Sequence, residues 1–287
     1  MQIVSIIPRS LSAKKRLLLL LALVAIRYPQ ANASPIPTDT GIAQQSDVER
    51  PPAPNSSRLD EILARGTLRV GLSGDYRPFS IVVGPTMEGL EVDMAASLAK
   101  SLGVKLELVR FTWPTLMQDL AANKFDIAMG GISINLQRQR VAYFSVPVMH
   151  GGKTPITRCT DKEKYQTLSD IDHPSVRVIE PPGGTNEIFA KTHLHQAHIE
   201  IFPDNATIFD QIISGKADVM ITDSVETLTQ QKLHKELCAI HPDHPFNNTD
   251  LAYLLPRDVT WKAYVDQWLN IMNQTGERKQ LVAKWLE

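Results

Sequence analysis

The sequence predicts a two-lobed α/β protein, each lobe a mainly parallel sheet flanked by helices, with a ligand cleft between the lobes. Three observations predict it. Beyond Ser57, short apolar runs of strand character alternate with segments of helical period, the pattern of βαβ units and parallel sheets. The alternation runs twice, interrupted by the stretch from Gly151 to Asp172, which argues for two sheets rather than one. The 287 residues, 43% hydrophobic and 21% charged, are also of ordinary globular composition, which supports one or two cores and excludes a collagenous, low-complexity or wholly disordered chain.

At the N-terminus the basic patch Lys14, Lys15, Arg16 precedes the apolar run Leu17 to Ile26, and Ala31-Asn32-Ala33 follows with the small residues of a cleavage site. The run is about half of the roughly 20 residues that a bilayer span needs. Residues 1–33 are therefore expected to be a secretory signal peptide, with an N-terminal core helix as the alternative. Its removal takes away Arg9, Lys14, Lys15, Arg16 and Arg27 and no acid, so the net charge of −1 becomes more negative. A mildly acidic exported chain is poorly suited to nucleic acid, and no membrane insertion is expected once the signal is gone. Residues 34–57, rich in Pro, Ser and Gln, are expected to be a disordered leader.

From there the elements follow in order. Leu59, Ile62 and Leu63 make a helical stripe that Gly66 closes, and residues 67–72 (TLRVGL) form a strand. Residues 92–102 are expected to be helical with Gly103 at the stop, 104–109 a strand, 116–122 a short helix and 125–129 (FDIAM) a buried strand. The second series is a strand at 176–179, a helix at 185–193, a strand at 198–202, a helix at 208–213, a strand at 217–222 and a helix at 225–233. Extended segments at 153–157 (KTPIT) and 250–255 (DLAYLL) carry the chain across and back. The last helices, with Trp261, Trp268 and Trp285, then pack on the first lobe, giving lobes of residues 58–152 with 251–287, and of residues 153–250.

In such sheets ligands bind beyond the carboxyl ends of the strands, so the residues after Leu72, Met129, Ile179 and Thr222 are the candidates. Asp75 and Tyr76 follow the first strand in a Gly/Pro turn, where an aromatic can cover a ligand ring. Gly130 and Gly131 lead to Ser133 and Arg138, whose guanidinium suits a carboxylate. Pro182-Gly183-Gly184-Thr185-Asn186-Glu187 turns into a helix whose N-terminal N–H groups favour an anion. Asp223 with Glu226 three residues later fits a helix capping box, so capping is the competing expectation for both acids.

Cys159 and Cys238 are the two cysteines of a chain bound for an oxidising compartment. A disulfide between them is the economical reading, adding roughly 4 kcal/mol by chain entropy, and two separate buried thiols are the alternative. There is no CxxC, and His193 and His195 would face different ways on a helix, so no metal site is expected. Asn-x-Ser/Thr triplets at Asn55, Asn205, Asn247 and Asn273 are too common by chance to carry weight.

The combination GDYRPFS, GGISINLQRQRVAYFS, PGGTNE and ADVMITD resembles the amino-acid-binding family of periplasmic solute-binding proteins over nearly all of the mature chain. That resemblance implies a periplasmic binding protein-like fold that closes on an amino acid, with Arg138 on the α-carboxylate and Asp223 on the α-amine. Tyr76 and Trp113 match its aromatic walls, and Ser133 and Thr185 its polar contacts at the carboxylate.

Longer stretches are more particular. Residues 74–80, 131–147 (GISINLQRQRVAYFSVP), 152–159 (GKTPITRC), 182–187 and 203–223, with HKELCAIHP and YLLPRD, are similar to the periplasmic cyclohexadienyl dehydratases, enzymes built on that fold, and include both cysteines. This resemblance implies that prephenate, and L-arogenate beside it, loses water and CO2 to give phenylpyruvate or phenylalanine, without a metal or organic cofactor. Carried over by matching motif, Glu226 is the general acid at the C4 hydroxyl, kept protonated by burial or by Asp223. Asn186 donates or positions, Lys153 orients the ring carboxylate, and Asp75 orients Lys153 or the substrate hydroxyl. The competing function is a periplasmic receptor that delivers an amino acid to a transporter permease and needs none of Glu226, Asn186 and Lys153.

Overall fold

The computed structural model describes residues 56–287, so the expected signal peptide and all of the expected leader except Ser56 and Ser57 lie outside the described residues. Ser57 is the N-cap of the first helix. Its hydroxyl accepts the Asp60 N–H, and the Asp60 carboxylate accepts the Ser57 N–H in return.

The chain then runs α1 (Arg58–Arg65), β1 (Thr67–Leu72), β2 (Asp75–Tyr76), β3 (Ser80–Val83), β4 (Thr86–Glu88), α2 (Leu90–Leu102), β5 (Lys105–Arg110), α3 (Leu116–Ala121), β6 (Ile127–Ser133), α4 (Leu136–Gln139), β7 (Tyr143–Phe144) and β8 (Met149–Gly151). It continues through β9 (Lys153–Arg158), a 3-10 turn at Cys159–Lys164, α5 (Leu168–Ile171), β10 (Arg177–Glu180), α6 (Thr185–His193), β11 (His198–Ile201), α7 (Ile208–Ile213), β12 (Val219–Asp223), α8 (Ser224–Leu233) and β13 (Leu237–Ala239). β14 (Thr249–Leu255), α9 (Val259–Gln274) and α10 (Glu277–Leu286) complete it.

Two large sheets result. The first has the order β5-β1-β6-β14-β7, with β8 also on β14; β1 is parallel to β5 and β6, and β14 is antiparallel to β6. The second has the order β11-β10-β12-β9-β13, with β10 parallel to β11 and β12, and β9 antiparallel to β12. β2, β3 and β4 form a small antiparallel sheet of their own.

Both faces of each large sheet are covered at its centre, so β6, β12 and most of β14 are buried, whereas the edge strands β5 and β11 stay partly exposed. Along β12, Val219 and Ile221 enter one apolar cluster with Phe189 and Ala190 of α6, while Met220 enters another with Ile208 and Ile212 of α7. Around the first sheet, Ile62, Met94, Leu98, Trp261 and Leu269 pack one face and Leu116, Leu120 and Phe125 the other. Trp268 is buried on the first of these faces and Trp285 packs at its edge.

The two crossing segments are full strands. β9 joins the second sheet and β14 the first, each antiparallel to its neighbour. The crossing itself falls at Gly152, where a side-chain carbon would stand 1.8 Å from the Asn247 carbonyl oxygen, so the outgoing and returning chains meet too closely for any other residue. The Lys153 N–H donates to Asn247 Oδ1 and the Phe246 N–H to the Lys153 carbonyl, which ties the two crossings together.

Two expected strands are displaced: the one placed at 217–222 runs Val219–Asp223, and the other departs further. The strand placed at 125–129 begins instead at Ile127 and runs through Gly130 and Gly131 to Ser133, so the GGIS segment lies within the strand rather than after it. The glycines adopt φ of +109° and +69°, and the register against β14 shifts between Ala252 and Leu254, the mark of a bulge. Cys159 and Cys238, 79 positions apart, form a disulfide with Cα atoms 4.8 Å apart, joining the start of the 3-10 turn to β13. Among the described residues no helix is long and apolar enough to cross a membrane.

Candidate active site

The strand ends of the two sheets line one common cavity. Tyr76, Trp113, Gly131, Ser133 and Arg138 line it from the first sheet's side, and Pro181, Gly184, Thr185, Asn186, Asn205 and Asp223 from the second's. Three polar contacts span it. Tyr76 Oη donates to Asp223 Oδ2 at 2.6 Å, the Ser133 and Thr185 hydroxyls lie 3.1 Å apart, and Asn205 Nδ2 donates to the Asp75 carbonyl at 3.0 Å.

The bulge in β6 shapes one wall. A side-chain carbon on Gly131 would stand 2.5 Å from Phe79 and 2.6 Å from Tyr76, so the glycine lets both rings lie on the strand. Tyr76 meets Trp113 edge-on, ring centres 5.6 Å apart at 85°, leaving an aromatic corner for a ring or aliphatic ligand. Burial and the facing Asp223 push the Tyr76 hydroxyl well above its usual range, so it remains a donor.

Arg138 forms the anion end. It sits in the single turn of α4, where Asn135 Oδ1 accepts its N–H at 2.8 Å, and its Nη1 donates to the Ser133 carbonyl at 3.0 Å. Burial lowers its pKa to about 10, with Asp223 opposing, so the guanidinium stays charged at neutral pH. Thr185 opens α6 on the other side of the cavity, after the N-cap Gly184. Glu187 accepts the Gly183 N–H, so the turn before that helix partly satisfies itself.

A buried charged chain lies behind the lining. Lys153 and Asp223 are opposite each other in the β9–β12 ladder, and Nζ donates to Asp223 Oδ1 at 2.7 Å with the lysine only 2% exposed. Lys153 Nζ also donates to Asn186 Oδ1, Asn186 Nδ2 donates to Thr222 Oγ1 at 2.9 Å, and Thr222 Oγ1 donates to Glu226 Oε2. Tyr76, Asp223, Lys153, Asn186, Thr222 and Glu226 are thus joined in one hydrogen-bonded series. Glu226 is 1% exposed, and burial pushes its carboxyl well above the usual range, with Asp223 and Asp75 adding and the Thr222 bond and Lys153 opposing.

The capping box expected as the competing role of Asp223 and Glu226 does not form. Asp223 is the N-cap residue of α8 but makes no side-chain cap bond, because Lys153 and Tyr76 take its two oxygens and Thr222 holds Glu226. Lys153 is likewise held in the interior by Asn186 and Asp223 rather than standing free in solvent. Asp75 does not orient Lys153, whose Nζ partners are Asn186 and Asp223; instead Asp75 Oδ1 is buried without a hydrogen-bond partner. Burial raises the Asp75 carboxyl, opposed chiefly by Ser73 and Arg110.

Of the residues expected at the site, Tyr76, Trp113, Ser133, Arg138, Thr185, Asn186 and Asp223 line the cavity, whereas Lys153 and Glu226 connect to it through Asn186 and Thr222, and Asp75 through Asn205. Sequence reasoning missed Thr222, Asn205 and Glu180. Glu180 is fully buried, its Oε1 accepting the Ile221 N–H at 2.9 Å. Asn205 follows the strand at 198–202, and the strand-end rule that found the others would have found it there. No group of three or more His, Cys, Asp or Glu side chains among the described residues is arranged to hold a metal ion.

Residues 68–287 match the bacterial extracellular solute-binding proteins, family 3. The chain is 55% identical over 232 residues to a cyclohexadienyl dehydratase of Pseudomonas aeruginosa, covering 80% of this chain and 87% of that protein. An ancestral amino-acid-binding protein, described as a precursor of cyclohexadienyl dehydratase, superposes with a TM-score of 0.75 at 36% identity over 80% of this chain and 100% of its own. An ancestral cyclohexadienyl dehydratase is 52% identical with a TM-score of 0.51, over 80% of this chain and 97% of its own.

Proposed function

We propose, for a chain that belongs to the bacterial extracellular solute-binding proteins of family 3, a carbon–oxygen lyase activity: prephenate, and L-arogenate beside it, loses water and CO2 to give phenylpyruvate or phenylalanine. The observation that carries this reading is Glu226, a buried carboxyl held toward its protonated form at the end of a hydrogen-bonded series that reaches the cavity. An amino-acid receptor uses Arg138, Asp223 and the aromatic corner, but has no need of a neutral acid behind them.

Arg138, assisted by Ser133 and Thr185, takes the carboxylate of the pyruvyl or amino-acid side chain, and Tyr76 and Trp113 flank the ring. Glu226 gives its proton to the C4 hydroxyl through Thr222: as Asn186 swings aside, the Thr222 hydroxyl passes its own hydrogen to the C4 oxygen and takes the Glu226 proton in its place. The C4–O bond breaks and water leaves. The bond from C1 to the ring carboxylate breaks, CO2 departs, and the electron pair enters the ring, which becomes aromatic. Glu226 is left as a carboxylate and regains its proton from solvent when the cleft opens.

Lys153 orients the ring carboxylate with the N–H that Asn186 and Asp223 leave over. Asp223 offsets its charge, so the carboxylate is positioned without a full-strength ion pair that would oppose its departure. Asp75, joined to the cavity through Asn205, acts on the substrate hydroxyl by way of that residue. The lobes are residues 58–152 with 251–287, and residues 153–250, and the protein works in the periplasm after export by its signal peptide.

The test is to give prephenate to the mature protein at neutral pH and follow phenylpyruvate. Turnover is the expected result. No turnover of prephenate or arogenate, together with an amino acid that stays bound through purification, would make the protein a transport receptor with a permease as partner.

A further inference from the structure

Asn205 has one end of its carboxamide committed and the other open. It lies in the loop between β11 and α7, is 5% exposed, and donates from Nδ2 across the cleft to the Asp75 carbonyl at 3.0 Å. Its Oδ1 is buried and has no hydrogen-bond partner among the described residues, while the residue lines the cavity. A buried amide oxygen without a donor is costly, and such atoms are rare where nothing supplies one. Asp75 Oδ1 is likewise buried without a partner but does not line the cavity, and the other acceptors that do line it are engaged. Both oxygens of Asp223, both ends of Asn186, the Tyr76 hydroxyl and the Ser133–Thr185 pair have partners.

We propose that Asn205 is a specificity residue that accepts the hydrogen of the ligand's ring hydroxyl and couples its capture to closure of the cleft through the same carboxamide. The identity of that hydroxyl rests on the dehydratase reading. Prephenate at neutral pH carries two carboxylates and a ketone, all acceptors, and its C4 hydroxyl is its sole hydrogen-bond donor. An open acceptor in the cavity therefore has one substrate group to meet. With the hydroxyl hydrogen directed at Asn205 Oδ1, the oxygen lone pairs are left for the acid that must protonate it, so recognition and leaving-group alignment become one contact.

The test compares phenylpyruvate with 4-hydroxyphenylpyruvate, non-reacting ligands that share the carboxylate and differ by the ring hydroxyl, by titration calorimetry. The parent is expected to bind the hydroxylated compound about fivefold more tightly, the size of one net hydrogen bond. In Asn205→Ala that preference disappears. In Asn205→Asp, which keeps an acceptor but loses the donor to Asp75, both ligands bind more weakly and the preference survives. A purely structural role would weaken both ligands alike in Asn205→Ala and leave their ratio intact, and that result, or a parent without preference, would overturn the proposal. Because neither probe reacts, the two readings fail separately. Turnover of prephenate without hydroxyl preference overturns the role of Asn205 alone, and a preference lost in Asn205→Ala without turnover overturns the dehydratase alone.

Discussion

Glu91, Glu180 and Glu226 are almost completely buried, and the loss of water around each raises its carboxyl toward the neutral form. Their surroundings set them apart: Glu180 holds a backbone N–H of β12 and Glu226 is wired to the cavity, whereas Glu91 lies in the first turn of α2 with Oε2 unpartnered. Burial pushes Glu91 up to about 7 from 4.5, against the opposing Tyr253 hydroxyl and Arg278. Between those values the native state holds a proton that the unfolded chain has released, so stability falls as pH rises through this window, by about 3 kcal/mol in all, and is level above it. Glu91→Gln is expected to remove that slope, and chemical unfolding at about pH 5 and about pH 8 measures it; equal pH slopes in parent and variant would contradict the assignment. Nothing in the sequence marked Glu91, because a carboxyl in a first helical turn is ordinarily solvated. Glu226 was legible through resemblance alone, since its spacing from Asp223 fitted a capping box equally well.

Among the elements, those specified by local pattern are where the sequence places them: the helices at 185–193 and 208–213 keep their expected bounds. The elements that were not legible are made by partners distant in the chain. β7 is two residues long and exists through pairing with Leu254 and Leu255, and β13 through pairing with β9. The Lys153–Asp223 contact depends likewise on the register of β9 against β12, which no local pattern encodes. The same strand explains where the disulfide acts, because Cys238 is paired with Thr157 while Cys159 follows β9 directly. Replacing both cysteines by serine is expected to lower unfolding free energy by about 4 kcal/mol, the chain-entropy value for so long a loop. KM and kcat should change little, since neither sulfur borders the cavity. A change in either constant with stability unaltered would contradict that division.

For the whole molecule, the repeated alternation of strands and helices made two sheets legible, and the strand-end rule led to most of the cavity. How the two halves meet was not legible. The Tyr76–Asp223, Ser133–Thr185 and Asn205–Asp75 contacts each join residues far apart in sequence, and together they shut the cavity and remove water from the groups behind it. That closure adds to the burial that raises the Glu226 carboxyl well above its usual range, so acid strength is a property of the assembled molecule rather than of the residue. The most direct test of this account is the pH dependence of kcat for prephenate in the parent and in Glu226→Gln. The account predicts that the parent's kcat falls as pH rises through the Glu226 ionisation, and that the variant keeps KM, loses about 10²- to 10⁴-fold in kcat and has no such falling limb. A variant that turns prephenate over at the parent's rate with the parent's pH profile would contradict it.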